Sequence, residues 1–141
     1  LWKSIPDEFR QRPEIAALAA DNFIKFRDCR NAQKLLTDSL NKQWDSKLVT
    51  MFGDCQGADN MGQIEQAEAW LQTHTNDAGL LLALGKLCLH HGLWGKAQNY
   101  LDASISLSPS RAAYSALAQL AEKLQKPDEA SRYHQLAMAL K

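Results

Sequence analysis

Apolar residues recur at intervals of three and four along most of this chain, the spacing of one helical face rather than the alternation of a strand. The pattern is clearest from Asp77 to Pro109. Leu81, Leu84, Gly85 and Cys88 share one face; Asn76 or Asp77 is placed to cap its start and Gly92 to close its end. A second run carries Ala97, Leu101, Ser104, Ile105 and Leu107 and stops at Ser108-Pro109. The connection is so short that the two helices must fold back on each other as a hairpin.

Shifting the register by 33 residues lays this stretch on the C-terminal third of the chain. Gly85 falls on Ala118, Leu84 on Leu117, Leu81 on Tyr114 and Ala97 on Ala130. The second hairpin turns at Gln125-Lys126-Pro127, with Pro127 at the first helical position. The N-terminal third gives a weaker copy. Pro13-Glu14 starts a helix with Ala16, Ala19, Ala20 and Phe23 on one face, Asp28 to Asn31 reads as a turn, and Ala32, Leu35, Leu36, Ser39 and Leu40 follow. Ala20 to Ala32, Gly85 to Ala97 and Ala118 to Ala130 are all separated by 12. The middle is irregular. A short helix runs from Asp45 or Ser46 through Phe52, residues Gly53 to Gly62 read as a polar loop, and a helix follows with Ile64, Ala67, Trp70 and Leu71.

Antiparallel helices pack about 8–10 Å apart, closest where small residues meet. Ala20, Ala32, Gly85, Ala97, Ala118 and Ala130 are therefore the repeat-defining positions, with Pro109 as a terminator. Each hairpin alone leaves an apolar face exposed, which stacking buries. The expected fold is all-α: a right-handed superhelical stack of antiparallel hairpins forming one domain over residues 1–141. The repeats span about 13–44, an irregular 45–77, 78–110 and 111–141.

Composition narrows the function. With 45% hydrophobic and 23% charged residues the chain is an ordinary folded protein. Its 16 Lys+Arg balance 16 Asp+Glu, which argues against a nucleic-acid binder and against a polybasic membrane-surface protein. Cys29, Cys55 and Cys88 are odd in number and scattered, so all three are expected as free thiols in a reducing compartment. No run approaches the ~18 apolar residues of a membrane span. The chain opens on Leu1 rather than Met, which suggests a fragment of a longer protein.

The string Leu81-x2-Leu84-Gly85-x2-Cys88-x8-Ala97-x3-Leu101-x2-Ser104-x4-Pro109 resembles a tetratricopeptide repeat, with Cys88 and Ser104 as departures and Trp44 where the first copy's terminal Pro would sit. A narrower resemblance covers nearly the whole chain. Leu1-Trp2-x2-Ile5-Pro6-x3-Arg10, Trp70-Leu71-x2-His74, Leu80-Leu81-Leu82-Ala83-Leu84-Gly85-Lys86-Leu87 and Leu93-Trp94-Gly95-Lys96-Ala97-x2-Tyr100-Leu101 are similar to the C-terminal region of the HemY family. That resemblance implies a bacterial inner-membrane protein, anchored by N-terminal helices outside this chain, with this domain on the cytoplasmic side. It also implies a role beside late tetrapyrrole (haem) biosynthesis, with pathway enzymes as protein partners.

In tetratricopeptide stacks the first helix of each hairpin lines a groove. Carrying those positions over gives Ala17, Asp21, Ile24 and Lys25; then Leu82, Lys86, Leu89 and His90; then Ser115, Gln119, Glu122 and Lys123. The set lacks the Lys/Asn/Arg clamp that some members use for acidic C-termini. No nucleophile–base pair, metal motif or phosphate loop accompanies it, so a non-enzymatic scaffold without a cofactor is expected. The alternative is a haem- or porphyrin-binding module using the groove with His90, His91 or Cys88 as ligand. Adjacent His90 and His91 point about 100° apart on a helix.

Overall fold

The computed structural model describes residues 13–54 and 60–140, which form eight helices and no strand. In chain order these are α1 (Pro13–Lys25), α2 (Cys29–Lys42), α3 (Ser46–Asp54), α4 (Asn60–Leu71), α5 (Ala78–His91), α6 (Trp94–Leu107), α7 (Arg111–Lys123) and α8 (Pro127–Ala139). Helices α1 and α2, α5 and α6, and α7 and α8 pack as close antiparallel pairs. The remaining pair is splayed: α3 packs chiefly on α5, and α4 also packs on α5. A ring contact at 5.0 Å between Phe52 and Trp70 links α3 to α4.

Local chemistry sets the helix ends. Asp28 accepts from the Asn31 N–H, Asp45 from those of Lys47 and Leu48, Asp77 from Leu80 and Ser110 from Ala113. Each satisfies donors that the first helical turn leaves unpaired. The turn between α1 and α2 is thus shorter than its sequence suggests, because Asp28 is already the cap of α2. The three tight hairpin turns share one device, a residue in the left-handed region: Arg27 (φ 58°), Gly92 (φ 82°) and Gln125 (φ 59°). Only Gly92 holds that conformation without Cβ strain.

The small residues at the repeat-defining positions are buried: Ala20, Ala32, Gly85, Ala97, Ala118 and Ala130. The crossing partner of Gly85 is Leu101 rather than Ala97. A Cβ built on Gly85 would lie 2.4 Å from Leu101 Cδ2. One turn of α6 separates the two candidates, and the longer side chain reaches across.

A second close crossing was not legible in the sequence. Gly53 belongs to α3, not to a loop, and a Cβ there would meet Ala83 Cα at 2.6 Å. Helix α3 therefore extends through Asp54, and α4 begins at Asn60. Residues 55–59 of the expected Gly53–Gly62 loop lie outside the described residues.

Trp44 marks the joint between the first and third pairs. Its ring stacks on His74 at 3.8 Å and meets Trp70 edge-on at 5.6 Å. Its Nε1–H donates to Asp77 Oδ2 at 2.6 Å, and Ser46 Oγ donates to the same oxygen at 3.2 Å. Asp77 Oδ1 meanwhile caps α5. Trp70 Nε1–H donates to Asn41 Oδ1 at 3.0 Å, tying α4 back to α2.

The expectation of three free thiols is corrected at Cys29, which is disulfide-bonded. An odd count forbids pairing all three cysteines but still allows one pair. Cys88 is free and buried, and Cys55 lies outside the described residues.

Gly53→Ala decides between two opposed effects. Helix propensity alone favours Ala by about 1 kcal/mol. Overpacking in a tight contact costs roughly 1–3 kcal/mol, and here the obstacle is backbone as well as side chain. We expect net destabilisation of about 2 kcal/mol, read as a lower urea midpoint at unchanged slope. A raised midpoint would mean that α3 can move off α5 at little cost.

Candidate functional site

Helices α1, α3, α5 and α7 lie side by side, each touching the next. Their shared face carries two clefts. The larger, of about 730 Å³, is walled by Lys86, Leu89 and His90 of α5 and by Ser115, Gln119 and Lys123 of α7. Gly53 and Asp54 of α3 close one side, and Trp94 at the start of α6 lies at its edge. The smaller, of about 690 Å³, lies between Glu14, Ala17, Leu18 and Asp21 of α1 and Lys47 and Met51 of α3, with Asp45 at the rim.

The periodicity of each helix explains the arrangement. Leu84, Leu87 and Cys88 turn α5 into the core, which leaves Lys86 and His90, four apart, toward the cleft. On α7, Ala113, Leu117 and Leu120 are buried, so Ser115, Gln119 and Lys123 form the opposing stripe. On α3 the buried set is Leu48, Val49 and Phe52. Lys47, Met51 and Asp54, spaced by four and three, form the outward one, and this stripe reaches both clefts.

Most of the residues assigned to the groove converge. Lys86, His90, Gln119 and Lys123 line one cleft, as does Ser115, and Leu89 reaches it with only 9% of its surface exposed. Others do not. Leu82 is only 6% exposed and packs in the core, so it has little surface to offer a partner. Glu122 points toward α8, where its Oε1 lies 2.9 Å from His134 Nε2. Lys25 pairs with Asp21 at 3.1 Å and is not among the residues walling either cleft.

The α3 contribution escaped the sequence reading because no repeat register was assigned there. Its signal was present, however, in the Lys47, Met51 and Asp54 spacing opposite Leu48 and Phe52.

Lys86 is not a free cation. Its Nζ lies 2.5 Å from Asp54 Oδ1, an ion pair across the α3–α5 boundary with Lys86 the more covered partner. Lys123 has no such partner among the ion pairs of the described residues. His90 and His91 are exposed, whereas Cys88 is fully buried on the far side of α5. Burial pushes the Cys88 thiol up to about 11, which keeps it protonated and a poor ligand at neutral pH. Among the described residues no three His, Cys, Asp or Glu side chains gather as a metal site would require.

The opposite side of α5 is held by a polar stitch between α4 and α6. Tyr100 donates its hydroxyl to Glu68 Oε2 at 2.5 Å, and Lys96 Nζ reaches the same oxygen at 3.1 Å. The Tyr100 bond is the main cause holding the Glu68 carboxyl below its usual value; burial works against it, and Lys96 adds to the lowering. Tyr100 itself is raised, by burial first and by its bond to the carboxylate second.

A group lowered in the folded state stabilises the fold above its unfolded value and loses that contribution as pH falls through the folded one. In Tyr100→Phe the hydroxyl donor is gone. The gap in urea midpoint between wild type and Tyr100→Phe should be full at pH 7 and narrow as pH falls below about 4.3, the ordinary glutamate value. A gap constant down to pH 3 would assign the effect of the substitution to packing alone.

No family model matches the chain. Among curated proteins it is similar to HemY of Escherichia coli K12 and to HemY of Shigella flexneri, at 27% identity over 131 residues in each case. The match takes in 92% of this chain and 33% of HemY, so the chain spans about a third of the relatives it matches. Among solved structures it is similar to a MamA crystal structure, with TM-score 0.63 and 17% identity over 98% of this chain and 83% of that one. A second, MamA MSR-1 C2, gives TM-score 0.61 at 16% identity, covering 98% and 82%. The fold is therefore the stack of helical hairpins that the sequence periodicity implies, of the tetratricopeptide type that the sequence resembles.

Proposed function

We infer that this chain, a stretch of helical repeats similar to about a third of HemY, is a docking scaffold whose partner is another protein. One observation carries the reading. Side chains from separate helices, Lys86, Leu89 and His90 on one and Ser115, Gln119 and Lys123 on the other, converge on a single open cleft. The cleft mixes apolar and polar surface, and no hydrogen bond joins Ser115 to His90 among the described residues, so it suits recognition better than turnover.

The similarity to HemY supports placing this scaffold beside tetrapyrrole biosynthesis, with pathway enzymes as the docked proteins. None of the described helices is long and apolar enough to cross a membrane. Attachment to the bacterial inner membrane then rests on segments other than these.

A porphyrin-binding reading has one observation in its favour: His90 stands in the cleft beside Leu89 and Trp94. It loses Cys88, which is buried away from that space. A Soret band on haem titration that vanishes in His90→Ala would favour this reading over the scaffold.

The scaffold reading is tested by crosslinking and recovery from the source cells, comparing wild type with Lys86→Glu/Lys123→Glu. Lys123→Glu is a surface change that should stay within about 0.5 kcal/mol, whereas Lys86→Glu both loses the Asp54 pair and sets a carboxylate against Asp54, so circular dichroism must show that the double variant is folded. At least one partner should fall several-fold in yield. Recovery of every partner at wild-type yield by a folded double variant would overturn the assignment of this cleft.

A further inference from the structure

The two clefts carry opposite charge, and one helix face joins them. Around the smaller cleft stand three carboxylates, Glu14, Asp21 and Asp45, against Lys47. Lys25, paired with Asp21, tempers this excess but does not cancel it. Around the larger cleft stand Lys86 and Lys123, with His90, against Asp54 alone. The chain as a whole is neutral, so this separation is local and not a reflection of composition.

Apolar side chains accompany the charges. Leu18, 67% exposed, and Met51, half-buried and placed between Lys47 and Asp54 on the outward stripe of α3, belong to the acidic cleft, while Trp94 lines the basic cleft beside Leu89, which is only 9% exposed. Lys47, Met51 and Asp54 make the face continuous from one cleft to the other.

We propose that the groove takes an extended protein segment of fixed charge order, basic at the α1–α3 end, apolar in the middle and acidic at the α5–α7 end. The inference rests on the docking reading above and adds the chemistry of the docked segment. Its length follows from the helices. Three steps of about 8–10 Å separate α1 from α7, and an extended chain advances about 3.3 Å per residue. About eight or nine residues therefore span the groove. Each exposed ion pair is individually weak. Opposite fields at the two ends nonetheless penalise a segment whose charges are uniform or mixed, so charge order sets specificity and register more than affinity.

The Lys86–Asp54 pair fits this role. A carboxylate arriving at the basic cleft meets two lysines, one of which Asp54 already orients toward α3.

The test uses fluorescein-labelled nine-residue peptides and this chain at low salt, read by anisotropy. One probe runs Lys-Lys-Arg, Leu-Ala-Leu, Asp-Glu-Glu. A second has the same composition with the charges interleaved, and a third is Lys-Lys-Arg, Leu-Ala-Leu, Lys-Arg-Lys. The ordered probe should bind wild type at least fivefold tighter than the interleaved one. Lys86→Glu/Lys123→Glu makes the whole groove acidic, so it should lose the ordered probe and gain the all-basic one. Lys86→Gln/Lys123→Gln, which introduces no repulsion with Asp54, should lose the ordered probe's advantage without the gain. Circular dichroism checks that both variants are folded. Equal binding of ordered and interleaved probes overturns the charge-order inference and leaves docking in the groove standing. If no probe binds wild type the inference falls, and docking is then judged on the crosslinking experiment alone.

Discussion

Helix α3 meets α5 where Gly53 leaves no side chain between its own backbone and Ala83. The candidate groove depends on this contact. Helix α3 is short, nine residues, and splayed from α4, so its position is fixed by what it meets on α5. Seated there, its outward stripe of Lys47, Met51 and Asp54 lies level with the outward stripes of α1 and α5. Asp54 then reaches Lys86, and two clefts open on either side of one helix. A methyl group at residue 53 would lift that stripe and tilt the floor of both clefts. Gly85 has the matching role between α5 and α6, where Leu101 fills the space that a side chain at residue 85 would need.

The two faces of the stack are built by different chemistry. On the groove side the polar groups are spread out and mostly open to water, apart from the Lys86–Asp54 pair. On the other side Tyr100 and Lys96 converge on one carboxylate of Glu68, clamping α6 to α4 behind α5. The Glu68 carboxylate behind α5 thus receives two donors, while Lys123 in front has no ion-pair partner among the described residues. That asymmetry is what a surface for binding requires: the rear holds the helices in place so that the front need not.

Much of this was legible in the sequence, and the reasons are particular. The recurring small residues Ala20, Ala32, Gly85, Ala97, Ala118 and Ala130 mark the buried seam of each hairpin, a constraint local to it, although the partner that Gly85 meets is Leu101 and not Ala97. The groove stripes of α5 and α7 followed from the same periodicity once a repeat register was known. Gly53 was misplaced because glycine beside Asp54, Asn60 and Gly62 has the composition of a loop. Its true reason, a backbone contact with residue 83, involves a residue far away in the chain. Leu82 was misassigned because α5 is buried on more than one side, by α3, α4 and α6 together, so a position that faces outward in an ordinary repeat faces inward here. The Glu68–Tyr100 bond links residues 32 apart, and nothing in local spacing announces it.

Trp44, Ser46 and Asp77 have a further consequence. In a simple stack each hairpin caps its own helices and meets its neighbours only through apolar contact, so melting can proceed hairpin by hairpin from a free end. Here the carboxylate that starts α5 is also the acceptor for an indole and a hydroxyl from the segment that enters α3. The first turn of one unit is thereby oriented by the unit before it. Nearest-neighbour coupling at this boundary includes the nucleation of a helix as well as the burial of a face. The α3–α4 and α5–α6 units that it joins should lose their amide protection together, as one cooperative block, with α7 and α8 better able to fray on their own.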